Sequence, residues 1–249
     1  MSTKIDYLGW ASFILTSPLG VRVITDPFLA GDPQLLIPPS PVDAKDIVVD
    51  LIIASHCAND HFAQAMQIMS NAGHTKILGD HATMCMTEKA GYGNTFGPRA
   101  ELTTGGATYV QDDFKIRAVD ARHISFTHFP DGTYMTGEPL CYIIQIENGP
   151  TCFFGGDTSL TMDMKLWGDL YHPDIAFVGI GGADIKGRSL DEMDPEEAAR
   201  CVEMLGAKIA IPMHYRTQEH LERFRHYLAV RAPKCQCLAM KAGESFTYN

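Results

Sequence analysis

The sequence predicts an α/β protein of one domain, residues 1–249, made of two halves of similar plan, about 1–120 and 121–249. Three observations predict it. Each half opens with closely spaced β-prone runs and continues as strand–helix units, the pattern of layered α/β folds. The length, 249 residues, suits one large domain or two halves sharing a core. Five buried apolar runs also lead straight into a residue type that binds metals: Thr25 into Asp26, Ser55 into His56, Arg122 into His123, Gly156 into Asp157, and Met213 into His214. Strand ends on one side of a sheet share a rim, and α/β proteins place their sites there. Chance would supply roughly one or two such endings, so five argue for a site assembled from both halves.

In chain order, Lys4–Leu8, Ser12–Thr16 and Val21–Thr25 read as a meander at a sheet edge, separated by Gly9 and the Ser17-Pro18-Leu19-Gly20 turn. The third run ends in Asp26-Pro27-Phe28. A Pro-rich loop from Pro33 to Pro41 is placed to drape over a site. Ile52–Ser55 is a short buried strand, and the run after His61 (Phe62, Ala65, Met66, Met69) has helical spacing as far as Gly73. Thr75–Gly79 is a strand and His81–Ala90 a helix; Gly91 to Gly106 is turn-rich. Ala107–Gln111 and Phe114–Ala121 form a hairpin around Asp112-Asp113. Leu140–Glu147 and Thr151–Phe154 form another around Asn148-Gly149, a strong hairpin signal. Leu160–Leu170 is a helix and Asp174–Ile180 a strand. A polar loop, Ala183–Asp194, then leads to a helix with Asp194 as N-cap, Pro195 in its first turn and Glu196-Glu197 behind. Lys208–Met213 is a strand, Gln218–Val230 a helix, and two strands close the chain.

The centre of this plan is Ile52-Ile53-Ala54-Ser55-His56-Cys57-Ala58-Asn59-Asp60-His61. A buried strand stops at a histidine, and an Asp-His pair opens the following helix. A tight turn gathers such side chains at one point, whereas successive residues of a strand face opposite ways. A lone histidine at a strand end is usually hydrogen-bonded or solvated. Three imidazole or carboxylate groups within six positions point to zinc, manganese, iron or nickel.

Composition excludes several classes. A net charge of −10 without any basic run argues against nucleic acid, whose binding rests on neutralising phosphates. No apolar segment approaches the ~18 residues of a membrane span, so no membrane partner is expected. The N-terminus lacks the long apolar region of a signal peptide. Seven cysteines, an odd number without framework spacing, read as free thiols in a reducing cytoplasm. Cys235 and Cys237, two apart on a strand, would face opposite ways and read as structural.

Seven stretches carry a resemblance: Tyr7-Leu8-Gly9, Thr25-Asp26-Pro27-Phe28, Ser55-His56 with Asp60-His61, Gly156-Asp157-Thr158, Met164-Lys165-Leu166, Pro195-Glu196-Glu197-Ala198, and Pro212-Met213-His214-Tyr215. In this order, over nearly the whole chain, they resemble the metallo-β-lactamase superfamily. Within it the chain is similar to small cytoplasmic metal-dependent hydrolases related to L-ascorbate-6-phosphate lactonase. The resemblance implies a four-layer αββα sandwich. It implies metal ligands as well: His56 and His123 at a first position, Asp60, His61 and His214 at a second, and Asp157 bridging the two. Asp26 is then expected behind the ligands, holding their loops. The sequence departs from the family pattern at three places. Ala58 replaces the second histidine of H-x-H-x-D-H, Trp10 stands where close relatives carry His, and Ala183 stands where a further histidine often follows Gly-Gly.

The ligand count favours the second position, which keeps four donors, if a single ion is bound. The cofactor expected is thus one or two divalent ions, zinc or manganese first, with nickel or iron as alternatives. Cys57 is a weaker substitute ligand. The reading implied is hydrolysis of a small molecule, a lactone, ester, amide or phosphoester, with Asp60 or Asp157 orienting the attacking water. For the substrate, Arg216, Tyr215, Arg188 and Lys186 are candidates to hold an anion, and His128 or Asp131 to protonate the leaving group. A binding or sensory protein on a weakened hydrolase scaffold is the alternative, and a metallo-nuclease a third. Homo-oligomers are common among such relatives. His74, His81, His172, His220 and His226 lie away from strand ends and read as structural.

Overall fold

The computed structural model describes residues 2–93, 97–129, 131–182, 184–185, 188–189 and 192–249, the backbone alone at 184, 185, 188 and 189. Among the described residues, eighteen strands and six α-helices follow in chain order. The first half contains β1 (Thr3–Gly9), β2 (Ser12–Thr16), β3 (Arg22–Thr25), β4 (Leu51–Ile53), α1 (Asn59–Phe62), α2 (Ala65–Asn71), β5 (Lys76–Gly79), α3 (His81–Lys89) and β6 (Ala100–Leu102). The second contains β7 (Thr108–Gln111), β8 (Phe114–Asp120), β9 (Phe126–His128), β10 (Tyr134–Thr136), β11 (Leu140–Ile146), β12 (Thr151–Phe154), α4 (Asp163–Tyr171) and β13 (Ile175–Gly179). It ends with β14 (Asp184–Ile185), β15 (Arg188–Ser189), α5 (Pro195–Leu205), β16 (Ile209–Met213), α6 (Gln218–Arg231), β17 (Gln236–Cys237) and β18 (Ser245–Tyr248).

Two seven-stranded sheets result, ordered β18-β1-β2-β3-β4-β5-β6 and β17-β16-β13-β12-β11-β8-β7. In each, an antiparallel meander passes into parallel strands joined through helices. The strand period of two sends alternate residues to opposite faces. Phe13 and Leu15 of β2 meet Phe154, Phe177 and Ile211 between the sheets, while Ile14 faces outward with Ile24 and Ile52 against α1–α3. On the other side Ile143, Phe153 and Val178 pack against Met164, Trp167, Val202 and Phe224 of α4–α6. The order of layers is helix, sheet, sheet, helix, the sandwich implied by the resemblance.

The Asp194 cap forms as expected: its Oδ1 accepts the Glu196 and Glu197 N–H groups, and the Glu197 carboxylate accepts the Asp194 N–H. Other expectations are corrected. The β1–β3 meander is not an edge, because β18 from the far end of the chain pairs with β1. The helix after His61 breaks into two at Ala63-Gln64. β8 ends at Asp120, so His123 lies in the loop beyond it rather than at the strand end. The turn-rich block hides β6, and His128 lies on β9 of a separate hairpin rather than in a loop. Both are three-residue strands, too short to show a period. That hairpin is anchored at its base by the Gly137 N–H to the Ser125 carbonyl, 3.0 Å, and the Glu138 N–H to Asp80 Oδ2, 2.8 Å. Among the described residues no helix is long and apolar enough to cross a membrane.

Gly168 lets α4 approach α5: a Cβ there would lie 2.4 Å from the Met204 carbonyl oxygen and 2.9 Å from Leu205 backbone. Backbone cannot yield as a side-chain tip can. Gly168→Ala is expected to cost about 1–3 kcal/mol in urea unfolding, the usual range for an overpacked core.

Candidate metal centre

The site forms where strands of both sheets end and the chain turns sharply. Asp26, Trp10 and His214 carry φ of 35°, 54° and 51°, and Gly156 carries 52°. For side chains other than glycine this left-handed region costs on the order of 1–2 kcal/mol. Each turn aims a side chain across the rim instead of onward along the strand. Gly156 is confined further, since a Cβ would stand 2.5 Å from Ser55 Cβ. The two halves are tied together at this level. The Leu140 N–H donates to the Ser55 carbonyl at 2.9 Å, and the Tyr142 hydroxyl to the Ala54 carbonyl at 2.8 Å.

Asp26 is fully buried at the back of the site. Its Oδ1 accepts the Ser55 N–H at 2.7 Å; its Oδ2 accepts the Ser55 hydroxyl at 2.7 Å and His61 Nδ1–H at 2.7 Å. Because the Ser55 hydroxyl donates to Asp26, its lone pair receives His56 Nδ1–H, 3.0 Å away. One carboxylate therefore sets the tautomer of two histidines, directly and through Ser55. In both, Nε2 is left facing the other donors, the arrangement in which imidazoles bind metals. His214 repeats it with another partner, its Nδ1 lying 3.4 Å from Glu192 Oε2.

The inward atoms converge. Asp157 Oδ2 lies 3.1 Å from His61 Nε2, 3.3 Å from His214 Nε2 and 3.7 Å from His123 Nε2. Asp60 Oδ2 lies 3.5 Å from His214 Nε2 and 3.8 Å from His61 Nε2, and accepts the Trp10 indole N–H at 3.3 Å. Yet Nε2 of His56, His61 and His214 and Oδ1 of Asp157 are buried without a hydrogen-bond partner. Such atoms cost on the order of 1–3 kcal/mol each unless something binds them. Two donor groups stand out, each with its atoms within 4.8 Å: Asp60, His61, Asp157 and His214, and His56, His123 and Asp157. Buried, convergent nitrogen and oxygen donors with fixed tautomers fit a divalent transition ion.

The charges agree. Burial pushes Asp157 and Asp60 up, but His214 and His61 beside them outweigh it and hold both carboxyls well below the usual range. Burial likewise pushes His61 and His214 down, and the carboxylates outweigh it: His61 is well above its ordinary value and His214 is raised to about 10. His56, burdened by burial and by the charge of His61, is held neutral. Burial raises the Asp26 carboxyl, against the pull of its hydrogen bonds to His61 and Ser55.

A cavity of about 700 Å³ opens over the donors and is lined also by Ala58, Asn59, Leu35, Met86, Ile124, Phe126, Thr127, His128, Glu192 and Arg216. The structure thus gathers His56, Asp60, His61, His123, Asp157 and His214, with Asp26 behind them and with His128 and Arg216 at the rim. Arg216 lies over the Trp10 ring, 5.5 Å from its centroid. Leu35 brings the Pro-rich loop to the cavity, as expected. Tyr215 is not brought in; it packs against the apolar cluster under α4–α6. Cys57 faces the Ser125 hydroxyl at 3.6 Å, not the donors. Ala183, Lys186 and the side chain of Arg188 lie outside the described residues. Asp131 does not line the cavity; hydrogen bonds from the Thr133 hydroxyl and N–H hold its carboxyl below the usual carboxylate range. Glu192 was missed, being one acidic residue in an aperiodic loop without any local signal.

Comparison with known proteins defines the class. The Beta-lactamase superfamily domain matches residues 21–215. A UPF0173 metal-dependent hydrolase of Rubrobacter xylanophilus is 33% identical over 248 residues, covering 97% of this chain and 95% of that one. Another, of Methanopyrus kandleri, is 33% identical and covers 98% and 99%. The chain belongs to the UPF0173 metal-dependent hydrolase family of the β-lactamase superfamily. Among solved structures, a metallo hydrolase from Ignicoccus hospitalis shares the fold with a TM-score of 0.78 at 24% identity, covering 100% and 99% of the two chains. An isothiocyanate hydrolase from Delia radicum gut bacteria gives 0.73 at 17%, covering 98% of each.

Two outcomes are expected. Asp26→Asn replaces an acceptor with a group that also donates, loosening both tautomers; zinc affinity should fall about 10–100-fold in a chelator competition. Zinc binding to metal-free protein at pH 7.5 should release protons from His61 and His214, whose Nε2 atoms cannot hold a proton and a metal together. Apparent affinity should therefore rise with pH up to about 10, the value for His214. An indicator-dye titration in weak buffer measures the release.

Proposed function

We propose that this protein is a metal-dependent hydrolase acting on a small lactone, ester, amide or phosphoester. The observation that carries the reading is the set of buried, unpartnered Nε2 and Oδ1 atoms meeting at Asp157 beneath an open cavity. Asp60, His61, Asp157 and His214 would hold one ion. His56, His123 and Asp157, without a histidine at Ala58, would hold a second less firmly. A divalent ion there, zinc or manganese first, supplies a Lewis acid and lowers the pKa of a water at the site from 15.7 towards ~7.

The remaining work falls to the chain. Asp60 is the most exposed of the donors, its side chain 32% accessible, and its ionised carboxylate is placed to orient a water facing the cavity. Trp10 N–H limits the swing of that carboxylate. Arg216 at the rim attracts an anionic substrate, and His128, which lines the same cavity, supplies a proton to the leaving group. The deep donors, 0–5% exposed at His61, Asp157 and His214, are shielded from bulk water by Trp10, whose ring lies 4.0 Å from that of His214.

The test is a panel of lactones, esters, amides and phosphodiesters with added Zn²⁺ or Mn²⁺, run beside Asp157→Asn, with ions counted per chain. Wild type should hydrolyse at least one member and retain one tight ion, rising to two in Ala58→His. Asp157→Asn should fall to the rate of the free ion. Equal rates for wild type and Asp157→Asn on every substrate would overturn the enzyme reading.

A further inference from the structure

The β9–β10 hairpin stands apart from both large sheets and walls a second cavity of about 510 Å³. Its register pairs Phe126 with Thr136 and His128 with Tyr134. Cross-strand partners and residues two apart share a face, so these four side chains point the same way, and all four line the cavity. The His128 ring stacks on Tyr134 with centroids 6.0 Å apart and meets Phe126 edge-on at 5.5 Å. Ile124 adds an aliphatic wall, and among the described residues no Asp, Glu, Lys or Arg lines the cavity.

Large apolar side chains here remain open to water: Ile124 is 52% exposed, Phe126 45% and Tyr134 68%. Single exposed apolar residues need no explanation, but several gathered on one concave wall mark a binding surface. The cavity also adjoins the site. His123, Ile124, Phe126 and His128 line both it and the cavity over the donors, so the apolar wall starts at a residue of the donor set.

We propose that this side cavity holds the apolar acyl chain of the substrate, making the natural substrates lactones, esters or amides of medium-length aliphatic acids rather than small, wholly polar molecules. The inference rests on the hydrolase reading for the position of the reacting carbonyl, over Asp60 and Asp157. From there the chain runs past Ile124 onto the Phe126–Tyr134 face. In the reaction water bonds to the acyl carbon, the C–O or C–N bond breaks, and the leaving group takes a proton, releasing the free acid. The acid product keeps its chain in the same cavity, and its binding therefore reports on the cavity without catalysis.

The experiment is calorimetric titration of the zinc-loaded full chain with butanoate, hexanoate, octanoate and decanoate. Kd should fall about fourfold per methylene until the cavity is filled. Thr136→Trp, at an exposed hairpin position, fills the cavity and should flatten this dependence; Tyr134→Ala removes a wall and should weaken it. A Kd independent of chain length, or a slope that both variants leave intact, overturns the proposal. The two readings fail separately. Chain-length-dependent binding without hydrolysis of any matching lactone, ester or amide, or of any member of the panel, would sink the hydrolase reading alone, and hydrolysis with flat binding would sink the acyl-chain cavity alone.

Discussion

The fully buried Asp26 carboxylate is the interaction on which the site depends. It sits where β3 ends, in a left-handed turn, and gathers three donors: the Ser55 N–H, the Ser55 hydroxyl and His61 Nδ1–H. A carboxylate taken out of water is costly unless such donors meet it. They do, and the same bonds orient His56 and His61 with their Nε2 atoms inward. The structural demand of a buried charge and the chemical demand for fixed tautomers are met by one group. Without it, two imidazoles would be free to turn, and the donors would no longer meet.

A second constraint is the crowding of negative and positive groups at Asp157. Imidazoles and carboxylates lie within 3–4 Å of one another without hydrogen-bond alignment. In the protein alone the attraction between these opposite charges outweighs the cost of burial, which is why His214 is raised to about 10 and Asp157 is held down. A cation held by either donor group would replace those protons with a positive charge that the donors of that group could face together. Folding supplies the convergence beforehand, through four left-handed turns at strand ends and the rigid sheets behind them.

The departures from the family pattern gain physical meaning at this rim. Ala58 lines the cavity with a methyl group. Trp10 adds a hydrogen bond to Asp60 and a ring over His214. The hairpin carrying Phe126 and Tyr134 adds an apolar wall next to a polar centre, so adjoining cavities present two chemistries.

Strand–helix order, the capping box at Asp194, the Asn148-Gly149 hairpin and the donor residues were legible in the sequence, because each rests on local chemistry: period, turn propensity, ligand type next to a buried run. The layer order and the grouping of donors came from resemblance to a family, not from spacing. What local pattern could not reach was decided by contacts between distant segments. β18 closes the edge beside β1, since pairing across more than 200 residues leaves no local trace. Glu192 reaches His214, Trp10 reaches Asp60, and Tyr215 turns away into the helix-side core although it follows a donor directly. The sequence by itself determined which groups could bind a metal. Only the tertiary structure decided which of their atoms face one another, because direction is set by the backbone turn and by the partner behind each side chain.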